Sequence, residues 1–548
     1  MSRSVPCPLC GELIAPEIRP LITRLDPPVV RRLQRENPGW DASAGACPEC
    51  AFKAAQAIRA ERSRTSLHEE LLSPYPVYAA EDTRLLPISR FVQATPQYTG
   101  RGVTMAFLDS GFYPHPDLTR PENRILQSVD ATGESALEGA SFFRAQVSSW
   151  HGMMTSCVAA GSGYMSDQLY RGIASQASLV LVKTGSPNGR GIRETDILRA
   201  LKWVLANQAR YNIRVVNISL GGDHPANGHL SDLDRLVEQA VEQGMVVVAA
   251  SGNGGVERLV PPASAPSAIT VGGLDDGNSY DPGQWRLYHS NYGKGANLRP
   301  KPDLVAPATW LAAPMLPHSR VHNEGMFLWR MDRTLEQLLH SNGTPPGVDK
   351  DASHPQLAAF RRKIRLRMID QKYIHPHYQH VDGTSMAAPV VSAIVAQMLE
   401  ANPTLSPSQV REILVATATP LPGLPAARYG AGLVNAGRAV AAARRLSRGL
   451  WRVLPFSPQV HPDGVSFYYF SPGNCAACVS LIGSFNNWDP TGYDLHTHSP
   501  GLWQLAIPTL PRGTYRYKFL VDGAWVNDPE NPDLAEDGYG GFSSLLEV

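Results

Sequence analysis

Three short motifs each place a reactive side chain among small residues: Asp109-Ser-Gly, His151-Gly and Gly-Thr-Ser385-Met-Ala-Ala-Pro. A carboxylate, an imidazole and a hydroxyl are the groups that together activate a serine for attack on a carbonyl carbon. The imidazole takes the hydroxyl proton, the carboxylate fixes the tautomer of the imidazole, and further donors stabilise the oxyanion. These residue types therefore predict acyl transfer at a serine, as in peptide hydrolysis.

The sequence around each motif predicts the element that holds it. Residues 103–108 form an apolar run that ends in Asp109 at a glycine turn, where parallel sheets carry functional groups. His151 precedes the apolar helical run 153–160, and Ser385 precedes the run 390–399. A helix N-terminus offers free N–H groups and the positive end of the helix dipole, and both favour an oxyanion beside Ser385.

Short apolar runs alternate with helical segments between about residues 77 and 445. The runs predicted as buried strands are 103–108, 179–183, 215–220 and 246–250, and helical periodicity is found at 195–209 and 231–243. This alternation is typical of an α/β fold with a parallel sheet covered by helices. The polar segment at about 310–380 interrupts it and is predicted as a helix-prone insertion with little strand signal.

The order of the motifs resembles the subtilase family of serine peptidases from about residue 102 to 442. The motifs that carry the resemblance are Asp-Ser-Gly at 109–111, His-Gly at 151–152, Ser-Leu-Gly-Gly at 219–222, Ser-Gly-Asn-Gly at 251–254, Lys-Pro-Asp-Leu-Val-Ala-Pro at 301–307, Gly-Thr-Ser-Met-Ala-Ala-Pro at 383–389 and Tyr-Gly-Ala-Gly-Leu-Val-Asn-Ala at 429–436. The Asp, His, Ser chain order is that of subtilisin. The resemblance implies a subtilisin-like serine endopeptidase with Asp109, His151 and Ser385 as its catalytic triad.

The same resemblance assigns the residues around the triad. It makes Asn253 the side-chain donor to the oxyanion, and it implies that the backbone of two segments lines the substrate cleft: Ser219, Leu220 and Gly221, and Ala250, Ser251 and Gly252. The loop 161–172 occupies the place of a calcium loop in many relatives, so Ca²⁺ stays open. Residues 71–78 precede Asp109 much as an inhibitory extension does in intracellular subtilisins, and we hypothesise that they occupy the cleft.

Two Cys-x-x-Cys pairs lie near the N-terminus, formed by Cys7, Cys10, Cys47 and Cys50. Four thiolates on two tight turns match a closed tetrahedral Zn²⁺ site, and the segment resembles zinc ribbons. The alternative is a set of unligated thiols. Cys475 and Cys478, without a second pair, are read as loop or core thiols.

The C-terminal segment contains four strand-like runs, 465–470, 479–485, 502–507 and 515–521, and is predicted to be an immunoglobulin-like β-sandwich. Gly-Ser-Phe-Asn-Asn-Trp-Asp at 483–489 and the segment 510–532 resemble the glycogen-binding module of the AMP-activated protein kinase β subunit. Trp488, Trp525 and Lys518 are then candidates for contact with an α-glucan such as glycogen, through ring stacking and hydrogen bonds. The alternative is that both indoles pack against the peptidase.

The predicted organisation is a zinc-ribbon-like module with a helical linker at 1–75, a peptidase domain at 76–445, a linker at 446–463 and the β-sandwich at 464–548. The net charge of +1 argues against a nucleic-acid or membrane-surface role. No stretch of about 18 uninterrupted apolar residues and no apolar leader is found, so a cytoplasmic protein is expected. The rival interpretation is a catalytically silent scaffold on a subtilase fold.

Overall fold

The computed structural model describes residues 5–14, 27–47, 50, 53–54, 85–140, 142, 145–146, 148–186, 191–222, 229–341, 355–447, 457–461, 463–471, 476–491, 493–499, 502–531, 533–537 and 542–548. The hypothetical inhibitory segment at 71–78 lies outside these residues. So do Cys475 and nearly all of the helix-like run that follows the second cysteine pair.

A small N-terminal module contains the hairpin of β1 (Val5–Pro6) and β2 (Leu13–Ile14), followed by helix α1 (Pro27–Glu36). The other α-helices of the described residues are α2 (Ile88–Phe91), α3 (Pro116–Thr119), α4 (Ser149–Ala160), α5 (Glu194–Tyr211), α6 (Asp232–Glu242), α7 (Arg320–Ser341), α8 (Pro355–Asp370), α9 (Thr384–Ala401), α10 (Pro407–Thr417), α11 (Ala426–Tyr429) and α12 (Ala436–Ser447).

A nine-stranded sheet forms the centre of the peptidase domain, in the order β10-β9-β8-β7-β3-β6-β4-β5 with β13 beside β9. The strands are β3 (Thr104–Asp109), β4 (Ile125–Asp130), β5 (Leu137–Glu138), β6 (Ser178–Lys183), β7 (Ile213–Ile218), β8 (Val246–Ala250), β9 (Ile269–Asp275), β10 (Arg286–Leu287) and β13 (Leu304–Pro307). All neighbours pair in parallel except β5 and β10 at the margins. The strand order changes direction beside β3, a position where such sheets form ligand crevices.

Each face of this sheet carries its own apolar core, because successive side chains of a buried strand point to opposite faces. Met105 and Phe107 of β3 belong to the core beneath α4, α9, α10 and α12. Ala106 and Leu108 belong to the core beneath α5 and α6. The predicted parallel sheet covered by helices is confirmed.

The insertion is helical, as predicted, but it ends in strands that the sequence did not reveal. Helices α7 and α8 pack together and lead into β15 (Tyr373–His375) and β16 (Tyr378–Val381). These strands pair with β14 (Leu311–Pro314) in a three-stranded sheet of order β14-β16-β15. These two strands are only three and four residues long, Pro376 lies between them, and each contains a histidine, so the sequence carries little strand signal there. A further two-stranded ribbon joins β11 (Gly293–Lys294) to β12 (Pro300–Lys301).

The N-terminal module and the insertion share one apolar core, although the sequence suggests two separate units. Cys7, Leu33, Trp40 and Cys47 of the module are buried together with side chains of the insertion, which are Met315, Val321, Leu328, Met331, Leu335, Leu339, Leu357, Phe360, Ile364, Met368 and Tyr373. The amide of Gln356 also donates to the carbonyl of Leu13. A module this small buries too little apolar surface alone, and the insertion supplies the rest.

The C-terminal segment is a β-sandwich of two antiparallel sheets, as predicted. One sheet has the order β17-β18-β21-β20, and the other has the order β19-β22-β25-β24 with β23 beside β22. The strands are β17 (Gln459–His461), β18 (Gly464–Phe470), β19 (Val479–Gly483), β20 (His496–Ser499), β21 (Leu502–Pro508), β22 (Thr514–Val521), β23 (Ala524–Val526), β24 (Leu534–Glu536) and β25 (Phe542–Glu547). A buried ion pair, Arg445 Nε to Glu530 Oε2 at 2.6 Å, joins the sandwich to α12.

One helix within the described part of the chain is long and apolar enough to cross a bilayer, α9, and 83% of it is buried inside the protein. It contacts the sheet together with α4 and α12, which is the position of a core helix.

Candidate active site

Asp109 and His151 meet at the carboxyl end of β3. Nδ1 of His151, the third residue of α4, lies 2.6 Å from Oδ1 of Asp109. The carboxylate side chain is completely buried, and the imidazole is 19% exposed. An acceptor at Nδ1 places the proton on that nitrogen, so Nε2 presents its lone pair towards the surface. The imidazole is therefore oriented as a base.

The carboxylate of Asp109 is held by more than the histidine. Its Oδ1 also accepts from the backbone N–H of Ser110 at 2.6 Å, and its Oδ2 accepts from the hydroxyl of Thr155 at 3.0 Å. Thr155 lies one helical turn after His151, so both side chains face β3. Sequence reasoning missed Thr155, although its spacing of four residues from the histidine is a usable signal.

The residue after the histidine, Gly152, has no room for a side chain. A Cβ at this position would lie 2.2 Å from the carbonyl oxygen of Gly111 and 2.9 Å from Cβ of Asp109. Only glycine therefore lets α4 approach the end of β3 closely enough for the hydrogen bond between His151 and Asp109.

Two opposing effects set the pKa of His151. Burial works to lower it, but the charge of the Asp109 carboxylate and the hydrogen bond to it outweigh burial, so the pKa lies above its usual value of 6.5. The imidazole stops acting as a base once it is protonated, which happens as the pH falls through this raised pKa.

Ser385 is the second residue of α9, as the sequence predicts, and its side chain is half-buried. The helix begins after Gly383, whose φ of 134° favours glycine and whose N–H donates to the carbonyl of Ala308 at 2.7 Å. The hydroxyl thus lies in the first turn of an 18-residue helix, where N–H groups lack helical acceptors.

Asn253 lies against this first turn. Its Oδ1 accepts from the backbone N–H of Thr384 at 2.9 Å and from the hydroxyl of Thr384 at 2.8 Å. Two donors on one oxygen fix the orientation of the amide, so Nδ2 is the atom left to donate to a substrate. Sequence reasoning identified Asn253 but not Thr384, which holds it.

The segments predicted to line the cleft follow β7 and β8, which are adjacent in the sheet. The hydroxyl of Ser219 donates to the carbonyl of Ser385 at 3.0 Å and accepts from the amide of Asn217 at 3.0 Å. Asn217 in turn accepts from Ser392 at 2.9 Å. This buried chain of hydrogen bonds ties the end of β7 to α9.

The other predicted cleft residues lie close to the same turn. The N–H of Gly252 donates to the hydroxyl of Thr384 at 3.2 Å, and the N–H of Ser251 donates to the carbonyl of Val271 at 3.0 Å. Leu220 and Ala250 are both 9% exposed. A Cβ at Gly221 would lie 2.8 Å from Cγ2 of Val260, so a side chain at this position would require Val260 to move.

The loop 161–172 supplies few carboxylate ligands for Ca²⁺. Asp167 is its one carboxylate, whereas Ca²⁺ takes six to eight oxygen ligands. The neighbouring Asp117 accepts from the N–H of Met165 at 3.0 Å and from the hydroxyl of Tyr378 at 2.5 Å. Asp117 also lies beside His115 and Cys157, and imidazole and thiol are ligands that calcium disfavours.

The four N-terminal cysteines come together as predicted. The sulfur atoms of Cys7, Cys10, Cys47 and Cys50 all lie within 4.8 Å of one another. Four thiolates at about 2.3 Å from one Zn²⁺ would lie roughly 3.8 Å apart. The N–H of Cys47 donates to Sγ of Cys7 at 3.1 Å, and that of Cys50 donates to Sγ of Cys47 at 3.3 Å. The donor set and its spacing fit Zn²⁺.

Trp488 and Trp525 form a pair on the surface of the β-sandwich. Their ring centroids lie 6.3 Å apart, and the residues are 37% and 54% exposed. The alternative that both indoles pack against the peptidase does not fit this exposure. Nζ of Lys518 is engaged by Oδ2 of Asp537 at 2.8 Å, so the cation predicted to contact a glucan already has a partner.

Comparison with protein families gives two matches. Residues 100–432 match the subtilase family, and residues 470–548 match the glycogen recognition site of AMP-activated protein kinase. The first match covers more than half of the chain and contains all four residues of the site described above.

Two relatives found by sequence agree with the subtilase match. The chain is 29% identical over 354 residues to serine protease AprX of Bacillus subtilis, covering 62% of this chain and 67% of the relative. It is 28% identical over 340 residues to subtilisin BL of Lederbergia lenta, covering 62% of this chain and 90% of the relative. Among solved structures, a protease of Pseudoalteromonas arctica matches with 22% identity and a TM-score of 0.43, over 67% of this chain and 97% of that one.

Proposed function

The chain belongs to the subtilase family and is a serine endopeptidase, and from that premise we propose that Ser385 is its nucleophile, His151 its base and Asp109 the residue that orients the base. The observation that carries the proposal is the 2.6 Å contact between His151 and Asp109. It directs Nε2 of the imidazole away from the buried carboxylate. The position of Ser385 in the first turn of α9 supports its role.

The reaction proceeds in two halves. Nε2 of His151 takes the hydroxyl proton as Oγ of Ser385 attacks the peptide carbonyl, and the resulting imidazolium gives that proton to the leaving amine. Water then hydrolyses the ester on Ser385, again with His151 as base. In both halves the amide of Asn253 donates to the oxyanion, where a fixed donor is most effective because the charge has developed.

A fluorophosphonate probe tests this assignment because it reacts only with an activated serine. We expect covalent labelling of the wild-type protein at Ser385, located by peptide mass spectrometry, and no labelling of Ser385→Ala. Exposed Ser408 supplies the matched control, since Ser408→Ala should label like wild type. A correctly folded wild-type protein that resists the probe would favour the rival interpretation, a silent scaffold.

We further propose that Cys7, Cys10, Cys47 and Cys50 hold one structural Zn²⁺. The clustering of the four sulfurs and the N–H donors to two of them support this. Such a metal would stabilise the module, whose own apolar core is small. Metal analysis should find one zinc per chain in the wild type and in Cys478→Ser, an exposed thiol outside the cluster, and a loss of zinc in Cys10→Ser. Zinc-free wild-type protein prepared with a reductant would contradict the proposal.

We propose that the C-terminal module binds an α-glucan through Trp488 and Trp525. Their exposure and their separation of 6.3 Å support this, since two tilted indoles offer apolar faces to neighbouring sugar rings. Leu520 pairs with Trp525 across β22 and β23, and Lys518 points to the same face of β22. Its ion pair with Asp537 makes Lys518 a support for that face rather than a free donor.

We propose a cytoplasmic location for the protein, and the chemistry of its cysteines supports this proposal. The described cysteines form no disulfide, and Cys478, which lies outside the proposed zinc cluster, is exposed. Free thiols of this kind persist in reducing compartments. Cell fractionation with an antibody to the protein tests this, and recovery outside the cytoplasm would contradict it.

A further inference from the structure

The insertion ends next to the proposed nucleophile. Strand β16 stops at Val381, and two residues, Asp382 and Gly383, connect it to the first residue of α9. Any force that the insertion exerts on its last strand is therefore transmitted through one short turn to Ser385.

A buried ion pair holds this turn to the rest of the insertion. Nζ of Lys372, which lies between α8 and β15, donates to Oδ2 of Asp382. The two side chains are 9% and 1% exposed. Oδ1 of Asp382 accepts from the backbone N–H of Trp310 at 3.3 Å, and His380, stacked on Trp310, lies 4.0 Å away. One carboxylate thus joins three separate segments of chain.

Two of these segments have unusual backbones. Trp310 has φ of 58° and Lys372 has φ of 60°, both in the left-handed region that bulky side chains rarely occupy. Such conformations persist only where the surroundings enforce them, and they cluster at functional sites. Here both strained residues converge on Asp382, three positions before Ser385.

The other end of the insertion is also fixed. Helices α7 and α8 share an apolar core with the cysteine module, so the position of Lys372 does not depend on a free loop. The N–H of Gly383 is bound by Ala308, and Thr384 holds the amide of Asn253. A shift of Asp382 would therefore move the nucleophile and the oxyanion donor together.

We propose that Lys372 is a positioning residue for peptide hydrolysis, which acts through its ion pair with Asp382 to fix the turn that carries Ser385. The inference rests on the proposed role of Ser385 as nucleophile. It makes the insertion part of the catalytic apparatus rather than a surface addition.

The test compares Lys372→Met, Asp382→Asn and the double variant, all in the full-length chain. Methionine keeps the length of the lysine side chain without its charge, and asparagine keeps the shape of the aspartate. The matched control is Lys301→Met. Lys301 is an even more deeply buried lysine whose Nζ lies 2.7 Å from Oδ2 of Asp303, in a pair that does not adjoin the nucleophile turn. Circular dichroism confirms that each variant is folded at the assay temperature.

In Lys372→Met we expect kcat to fall on the order of 10²-fold, the effect of a displacement of about 1 Å in a catalytic group, with KM within about twofold of wild type. The rate of fluorophosphonate labelling at Ser385 should fall by the same factor. The double variant should lower kcat by no more than Lys372→Met alone, because both residues act through one contact. Lys301→Met should keep its kcat within about twofold.

Two results overturn the inference: a folded Lys372→Met that labels at the wild-type rate, or losses in the single variants that multiply in the double variant. If the wild type itself is not labelled, the proposed role of Ser385 fails instead, so the two failures are distinguishable. Should Lys372→Met not fold, Asp382→Asn carries the test alone. Wild-type kcat in that variant would overturn the inference, and a loss of kcat with unchanged KM would support it.

Discussion

The peptidase site is built from buried, hydrogen-bonded polar groups, whereas the aromatic pair of the β-sandwich is an exposed apolar surface. Asp109 is completely buried and accepts hydrogen bonds from His151, Ser110 and Thr155. Trp488 and Trp525 are exposed, and they meet each other rather than a buried network. Bond cleavage needs charges held in fixed positions before the substrate arrives, whereas sugar binding needs flat apolar surface that water can leave.

This difference determines how each region should respond to substitution. Within the peptidase site the side chains work as a unit, so the loss of one makes the others nearly useless. In the aromatic pair each ring contributes its own contact area, and losing one weakens binding without disturbing the fold. The effects of the variants on the rate of peptide hydrolysis should therefore range from almost complete loss to no loss.

The largest loss should follow removal of the nucleophile or the base. We expect Ser385→Ala and His151→Ala each to lower kcat by about 10⁶-fold, the size measured for the corresponding changes in subtilisin. The double variant should be no worse than either single one. Steady-state hydrolysis of a peptide substrate measures this, with Ser408→Ala as the control. Substantial activity in Ser385→Ala that resists serine-directed inhibitors would contradict the assignment.

A smaller loss should follow Asp109→Asn, on the order of 10⁴-fold in kcat, because the imidazole stays but takes the wrong tautomer. The pH profile adds a second readout. In the wild type the carboxylate raises the pKa of His151 above 6.5, so kcat/KM should fall as the pH drops through that raised value. Without the charge, burial alone remains and lowers the pKa, so the acidic limb should move to lower pH. An unshifted limb would show that Asp109 does not set the pKa of His151.

Asn253→Ala should have an intermediate effect, about 10²–10³-fold on kcat with little change in KM. Its amide meets the oxygen mainly after charge has developed, so it stabilises the transition state more than the bound substrate. Thr384→Val provides a graded comparison, since it removes one of the two donors to Oδ1 of Asn253 and keeps the backbone N–H. A rise in KM without loss of kcat in Asn253→Ala would reassign the residue to substrate binding.

The comparison also explains what the sequence could reveal. The sequence points to Asp109, His151, Asn253 and Ser385 because each lies in a short motif with small neighbours, and Gly152 shows how such a neighbour permits a close approach. The alternation of apolar runs was enough to predict the parallel sheet, since buried strands carry a strong local signal.

Long-range contacts carry no such signal. Nothing in the spacing of Lys372 and Asp382 predicts that they form a buried ion pair, because their ten-residue separation is closed by a hairpin of weak strand character. The shared core of the cysteine module and the insertion joins residues about 300 positions apart in the chain, such as Cys7 and Leu328. The engagement of Lys518 by Asp537 was missed for the same reason.

The smallest effect on hydrolysis should come from the aromatic pair, and it separates the two regions most sharply. We expect Trp488→Ala and Trp525→Ala to leave kcat/KM within about twofold of wild type, because neither ring belongs to the peptidase core. Each should weaken retention in a glycogen-containing native gel by roughly 10-fold or more, since a buried aromatic contact contributes about 1.5–2 kcal/mol or more to binding. Tyr164→Ala removes a similarly exposed ring from the peptidase domain and should change neither property.

Wild-type protein that migrates freely through glycogen would remove the glucan assignment while leaving the peptidase assignment untouched. Loss of hydrolysis in the tryptophan variants would instead mean that the β-sandwich acts on the catalytic site. The ion pair between Arg445 and Glu530 would then be the contact to examine, because it joins the sandwich to α12, which packs in the same core as the helix of Ser385.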